Sequence, residues 1–247
     1  MEFLKNTDIN TLKSNPVIIL AGGFGTRLKN ILNGLPKPLA NINGKPFLFF
    51  LLKNLVEEGF NDFVFSLHYK SEMIIEIVKS FQSNILINCK IQFVVEQTPM
   101  GTGGAISYIN TILEMEENFI VVNADTWIES GYGLISNSNE NVIAILKVED
   151  TSRYGTVLFD SNLKISEFIE KKDSEGAGYI NAGIYKLNKK YFSNWNGQPY
   201  SIEANLFPDL AKQAKLKAVI LNTSFIDIGV PVDYNKFCTL NARGLIL

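Results

Sequence analysis

The residues best suited to chemistry begin in the stretch Asn15–Ala40, NPVIILAGGFGTRLKNILNGLPKPLA. An apolar run, Val17 to Leu20, stops at Gly22 and Gly23, and Gly25, Thr26, Arg27 and Lys37 follow. Glycines in such a turn let backbone N–H groups come close to an anion. Arg27 adds a rigid, permanently charged fork suited to two phosphate oxygens. Lys37 sits between Pro36 and Pro38, which restrict its backbone. The turn fits neither common nucleotide pattern. From Gly23 the spacing lacks the third glycine of a dinucleotide turn, and Gly44-Lys45 is followed by Pro46, not by the Ser or Thr of a P-loop. The glycines alone are equally consistent with a tight turn. With Arg27 and Lys37 they read as a phosphate cradle.

Carboxylates form the second set. Asp125 ends the apolar run FIVVNAD, and Asp227 lies in FIDIG about a hundred residues later. Taken singly, Asp125 reads as a helix N-cap after a strand, and Asp227 as a turn residue before Gly229. Glu96, in VVEQTPMGTGGA, reads by itself as an exposed strand-end residue, and as a base reader only through the position it holds in the family that the whole set of motifs resembles. Guanine presents two adjacent donors on its pairing edge, which one carboxylate can accept together, whereas uracil suits an amide. Gln97 could do this instead of Glu96. Gly101 and Thr102, with Gly103 and Gly104, open a helix where a base or ribose could approach closely.

Other chemistries are disfavoured by composition. The chain of 247 residues has one histidine, His68, and two cysteines, Cys89 and Cys238. They make no convincing zinc site and leave a triad dependent on a single base. A strand-end role suits His68. The net charge of −2 gives no footprint for nucleic acid or an anionic membrane. No apolar run approaches the roughly 20 residues that span a bilayer. The first fifteen residues lack the pattern of a signal peptide. Reduced core thiols suit the cytoplasm.

Elements that alternate must position these residues. VIILA, DFVFSL, IQFVVE and NFIVVNAD read as strands. PFLFFLLKNLVEEGF, SEMIIEIVKSF and GGAISYINTIL read as helices between them. This order implies an α/β fold with a doubly wound, mostly parallel, Rossmann-like sheet in a three-layer sandwich. Ligands then bind beyond the carboxyl ends of the strands, in the loops after Leu20, Leu67, Glu96 and Asn123. After Glu129 the strand-like segments are closely spaced, as in a mixed or antiparallel C-terminal extension. One is predicted over SFIDIG. A helix is predicted over SIEANLFPDLAKQ, with Pro208 interrupting its middle, and another over PVDYNKFCTLNAR. One domain over 1–247 is the simplest organisation, with an alternating strand-helix part at about 15–130 and a second part at about 131–247. The aromatic-rich PFLFFLL and YFSNW could supply a homodimer interface or merely a core.

These motifs resemble those of the sugar-1-phosphate nucleotidylyltransferases. Their L-x-G-G-x-G-T-R-L followed by P-K-P stands here at Leu20–Leu28 and Pro36–Pro38. NAD at 123–125, EK at 170–171, NAGIY at 181–185 and FIDIG at 225–229 match later landmarks. KPFL, PMGTGGA and FIDIGVPVDY look most like the D-glycero-α-D-manno-heptose 1-phosphate guanylyltransferases within that family. The resemblance implies attack of a sugar 1-phosphate on the α-phosphorus of GTP, giving GDP-sugar and pyrophosphate for bacterial surface polysaccharide. Mannose 1-phosphate with GTP, glucose 1-phosphate with UTP or dTTP, and a non-catalytic regulatory subunit are the alternatives. It implies that Arg27 holds the β/γ-phosphates and that Lys37 sits near the α-phosphate. Asp125 and Asp227 would share Mg²⁺. Glu170 would face sugar hydroxyls and Lys171 the 1-phosphate, with Lys172 an alternative for Lys171. Asn181 and Gly183 would line the sugar pocket, and Tyr154 and Gly155 another of its walls. Ala124 departs from the family's usual glycine before the first aspartate.

Overall fold

The computed structural model describes residues 15–169 and 176–246. Strands, in chain order, are β1 (Val17–Leu20), β2 (Asn41–Ile42), β3 (Lys45–Pro46), β4 (Asp62–Leu67), β5 (Lys90–Val95), β6 (Asn118–Asn123) and β7 (Thr126–Ile128). They continue with β8 (Val142–Val148), β9 (Thr156–Phe159), β10 (Ile165–Ile169), β11 (Gly178–Asn188), β12 (Lys217–Leu221) and β13 (Phe225–Asp227). The α-helices are α1 (Lys29–Leu32), α2 (Phe47–Glu57), α3 (Ser71–Phe81), α4 (Gly101–Ile112), α5 (Tyr132–Ser136), α6 (Phe207–Lys212) and α7 (Pro231–Ala242).

Nine of the described strands form one sheet. Its first part is parallel: β1 lies between β4 and β6, and β5 extends it beyond β4. The parallel order reflects crossovers through α2, α3 and α4, each long enough to return the chain to the same edge. β11 then runs antiparallel to β6 and also pairs antiparallel with β8, which β12 joins in parallel. Strands of the two predicted parts of the chain therefore pair directly in one sheet. β9 and β10 add an antiparallel edge.

Helices cover both faces. Along β1 the pleat sends Val17 and Ile19 to one core and Ile18 to the other. The first core takes Phe47 and Leu51 of α2, Ile74 and Val78 of α3, Ile135 of α5 and Phe237 of α7. The second takes Ile106 and Ile109 of α4 and Phe207 and Leu210 of α6. The result is a three-layer α/β sandwich. The run PFLFFLL goes into the core: Phe47, Leu48, Phe50, Leu51 and Leu52 are buried. Phe192 of YFSNW is fully buried as well, stacked near Phe119. Among the described residues, no helix is long and apolar enough to cross a membrane.

One predicted helix divides. SIEANLFPDLAKQ forms a π-helical turn, Ile202–Leu206, followed by α6. Pro208 falls in the first turn of α6, directly after the π-helical turn, where the wider spacing accommodates a residue without an N–H. Ser201 caps the π turn, its side chain accepting from the N–H groups of Glu203 and Ala204.

Candidate active site

The loops after β1, β5 and β6 converge beyond the carboxyl ends of the parallel strands, where open α/β sheets hold ligands. They form a cleft of about 340 Å³. Gly22, Gly23, Phe24, Lys37, Glu96 and Thr102 are among its lining residues. A smaller cleft of about 190 Å³ adjoins it, lined by Arg27, Tyr154, Asn181, Gly183, Glu203 and Asp227, among others. Asn123 and Asp125 line both. Asp125 therefore stands at the junction.

Beside it, Lys37 donates to Asp125 Oδ2 at 2.6 Å. Lys37 starts a short 3₁₀ turn, Lys37–Leu39, whose Pro38 and Leu39 are buried and anchor the lysine's backbone. Gly25 accommodates this approach: its φ is +64°, and a Cβ there would sit 3.4 Å from Lys37 Cβ. Asp227 reaches the same region through a two-stranded ladder. β13 pairs antiparallel with β7, placing Asp227 opposite Thr126, the neighbour of Asp125. The N–H of Ile228 also donates to the carbonyl of Asp125 at 3.0 Å.

Asp227 Oδ1 accepts from the N–H of Gly229 at 2.7 Å. A Cβ on Gly229 would lie 2.7 Å from that same oxygen and 3.5 Å from Arg27 Nη2. Glycine is thus required by proximity, and Arg27 flanks the carboxylate. Burial pushes the Asp227 carboxyl above its usual range, and the charge of Asp125 pushes it further; the Gly229 N–H, Lys37 and Arg27 act in the opposite direction. Two carboxylates in one partly desolvated place form a hard-oxygen donor set suited to a divalent ion. Among the described residues no group of three or more His, Cys, Asp or Glu could hold a metal. Phosphate oxygens would have to complete the shell. Arg27 itself is exposed and lines the smaller cleft, on the side of Asp227.

Glu96 is nearly buried in the wall of the larger cleft. Its carboxylate accepts from the Ser66 hydroxyl and from the Met100 N–H, both at 3.0 Å. Burial raises its pKa, against the opposing effect of those two bonds and of His68. The exposed strand-end reading of Glu96 is therefore overturned, because the loop 96–100 folds back over the side chain. Gly22 leaves room for it, its Cβ position being 3.4 Å from Glu96 Oε1. His68 does lie just past the end of β4, with Nδ1 3.0 Å from the Glu96 carbonyl. Phe24 is exposed at the cleft rim, its ring against those of His68 and Tyr69.

Two of the glycines opening α4 are in close contact with another part of the chain. A Cβ on Gly101 would meet the Tyr200 carbonyl at 2.5 Å, and one on Gly103 would strike the Tyr200 ring at 2.1 Å. They make room for Tyr200, although Gly101 also lines the larger cleft. The Thr102 hydroxyl is also taken up within the protein, donating to Glu203 Oε2 at 2.6 Å and accepting from the Ile202 N–H at 2.9 Å.

In the smaller cleft, Asn181 orders its neighbours. Its Oδ1 accepts from the Gly183 N–H at 2.8 Å and its Nδ2 donates to the Tyr185 hydroxyl at 2.9 Å. Gly183 has φ +72°, and a Cβ would lie 2.6 Å from Asn123 Nδ2. Gly155 presents its carbonyl to the Asn181 N–H at 2.9 Å. Tyr154 is half-buried beside Phe225, and its neighbour Arg153 is paired with Asp233 of α7. Glu170, Lys171 and Lys172 lie outside the described residues, and the Thr26 side chain does too. Asn123, Tyr185 and Glu203 were not foreseen. The only signal for Glu203 was a lone acidic residue after a capping serine, which many surface helices carry.

Phosphate-cradle glycines, a lysine and two carboxylates meeting between two clefts are what transfer between two phosphate-bearing substrates needs. A model of the nucleotidyl transferase family matches residues 16–240. The chain belongs to the nucleotidyl transferase family. This nucleotidyl transferase is 36% identical over 225 residues to the D-glycero-alpha-D-manno-heptose 1-phosphate guanylyltransferase of Campylobacter jejuni, covering 91% of the chain and 99% of that relative. It is 33% identical over 225 residues to the mannose-1-phosphate guanyltransferase of Schizosaccharomyces pombe, covering 88% of the chain but 61% of the relative. Among solved structures it resembles HddC from Yersinia pseudotuberculosis at 37% identity and a TM-score of 0.80, covering 91% of the chain and 98% of HddC. A structure of HddC complexed with GMP-PN matches at a TM-score of 0.77 over the same shares of the two chains.

Proposed function

We propose that the protein transfers a guanylyl group from GTP to D-glycero-α-D-manno-heptose 1-phosphate, releasing pyrophosphate and forming a GDP-sugar. The observation that carries the reading is the meeting of Lys37, Asp125 and Asp227 where the two clefts join. The larger cleft would take the nucleotide and the smaller one the sugar phosphate, so that the phosphates meet at Asp125. Near-complete coverage of the Campylobacter heptose 1-phosphate guanylyltransferase supports the sugar, and the GMP-PN complex of HddC supports the base.

The chemistry needs little from protein bases. A phosphate monoester has its second pKa near ~6, so its oxygen is already ionised at neutral pH. That oxygen forms a bond to the α-phosphorus as the bond to the β-phosphate oxygen breaks, and the electron pair leaves with pyrophosphate. Lys37 lies at the junction to screen the two phosphates as they approach. Arg27 adds a fixed positive charge beside Asp227. Asp125 and Asp227 would hold Mg²⁺, which when bound offsets phosphate charge and aligns the reacting oxygens. Glu96, fixed by Ser66 and Met100, would read the guanine edge. Two free, half-buried thiols fit a reducing, cytoplasmic setting.

Mannose 1-phosphate is the second reading, supported by the 33% identity to the Schizosaccharomyces guanyltransferase. The chain spans about three fifths of that relative. A matrix of four nucleoside triphosphates against several sugar 1-phosphates, read by pyrophosphate release with and without Mg²⁺, tests the proposal. Highest turnover with GTP and heptose 1-phosphate is expected. Preference for another pair would replace the assignment.

A further inference from the structure

The two clefts share more than the junction at Asp125. Thr102 stands in the wall of the larger cleft, and Glu203 in the wall of the smaller one. The Thr102 hydroxyl donates to Glu203 Oε2 at 2.6 Å. The same oxygen accepts a second bond from the Ser201 hydroxyl at 2.7 Å. Its other oxygen, Oε1, accepts from the fully buried Tyr185 hydroxyl at 3.4 Å. Tyr185 in turn accepts from Asn181, and Asn181 holds the Gly183 turn. A continuous row of side-chain hydrogen bonds thus runs from the first turn of α4 to the floor of the smaller cleft.

The backbone reinforces this row. Tyr200 donates its N–H to the Met100 carbonyl at 3.0 Å, and its own carbonyl accepts from Gly103 at 2.9 Å. The Met100 N–H is held by Glu96, itself in the wall of the larger cleft. The segment Tyr200–Glu203 is therefore strapped to the loop that would face the nucleotide. Glu203 sits in a π-helical turn, a local geometry that often marks functional positions and that aims a side chain where a regular helix would not.

On the substrate assignment above, we propose that Thr102 and Glu203 are positioning residues that couple the two binding events. Nucleotide in the larger cleft immobilises the Gly101–Thr102 turn. Thr102 then fixes the Glu203 carboxylate, and Glu203 orients Tyr185 and Asn181 toward the incoming sugar phosphate. Linkage makes the effect reciprocal: sugar phosphate tightens nucleotide binding by the same factor.

Calorimetry with a GTP analogue that cannot be cleaved between the α- and β-phosphates tests this. Affinity for the sugar 1-phosphate is measured with the analogue absent and saturating, in wild type, Thr102→Val, Thr102→Ser and Tyr185→Phe. The triphosphate analogue and sugar 1-phosphate used are the tightest-binding pair in a panel. A pair other than guanine and heptose would thus correct the substrate assignment and leave the coupling measurable. Direct contact between the two phosphates remains in every variant, so the comparison isolates the protein's share. Thr102→Val keeps the shape but removes the hydroxyl; its coupling factor is expected to fall at least about fivefold, within the usual range of coupling energies. Thr102→Ser should retain the wild-type factor, and Tyr185→Phe should lose part of it. An equal factor in all four proteins overturns the proposal. So does a loss that Thr102→Ser fails to rescue.

Discussion

Lys37 Nζ lies 2.6 Å from Asp125 Oδ2, so the cation expected to meet phosphate and a carboxylate expected to meet metal already hold each other. Each charge keeps the other fixed before substrates arrive. Both side chains are largely shielded, at 14% and 28% relative exposure, so the contact is screened less than a surface pair would be. Binding then requires an exchange of partners, not the ordering of free side chains.

This pairing predicts non-additive loss. Lys37→Met and Asp125→Asn should each lower kcat/KM for pyrophosphate release by roughly 10²–10³. The double variant should lose much less than the product of the two, because residues acting as one unit share their effect. Multiplicative losses would show that the two residues act separately.

Asp227 predicts an opposition between stability and activity. Its pKa is raised in the folded state, so the folded protein binds the proton more tightly than the unfolded chain does. Ionising it therefore costs stability as pH rises from the ordinary carboxylate pKa through the raised one. In chelator, Asp227→Asn should melt above wild type at about pH 8, and the difference should vanish at acid pH. Turnover of the same variant should be lost. A melting difference independent of pH would contradict the assignment.

Glu96→Gln should weaken the preference for GTP over UTP, because an amide cannot accept two donors from guanine as a carboxylate does. The raised pKa adds a sign. The ionised acceptor is lost as pH falls through a range above that of ordinary carboxylates. Wild-type base selectivity should therefore decline on acidification while that of Glu96→Gln stays flat. Competition kinetics with the two triphosphates measure both effects, and unchanged selectivity would remove Glu96 from base reading.

Gly103→Ala should destabilise the protein, since the new methyl would enter the Tyr200 ring position. A cost of about 1–3 kcal/mol in chemical denaturation is the size of other overpacking effects. Tyr200→Ala in the same background should recover part of it. Equal stability of Gly103→Ala and wild type would return this glycine to the ligand.

Much of this architecture was legible because it repeats. β1, β4 and β6 are mainly apolar runs buried in the parallel part of the sheet, and α2 and α3 show helical spacing. The glycine turn was legible because Arg27 and Lys37 follow it closely, whereas the two aspartates could be paired only through the family resemblance. Thr126–Ile128 was not, since three residues carry no period and pair only with a partner far along the chain. Burial of Glu96 depends on how residues 97–100 fold back, which no local pattern encodes. Tyr200 explains Gly101 and Gly103 only once the 198–206 segment is seen against α4.

The pairing of β7 with β13 also sets the order in which the two carboxylates become available during synthesis. The parallel core around β1 is complete once β6 has left the ribosome, so half a chain can already be compact. Its Asp125 then waits for Asp227, some twenty residues from the end of this sequence. A nascent chain that ended short of Phe225 would carry Asp125 without Asp227. The carboxylate pair thus joins residues about a hundred positions apart, and its second member is made well after the sheet that carries the first.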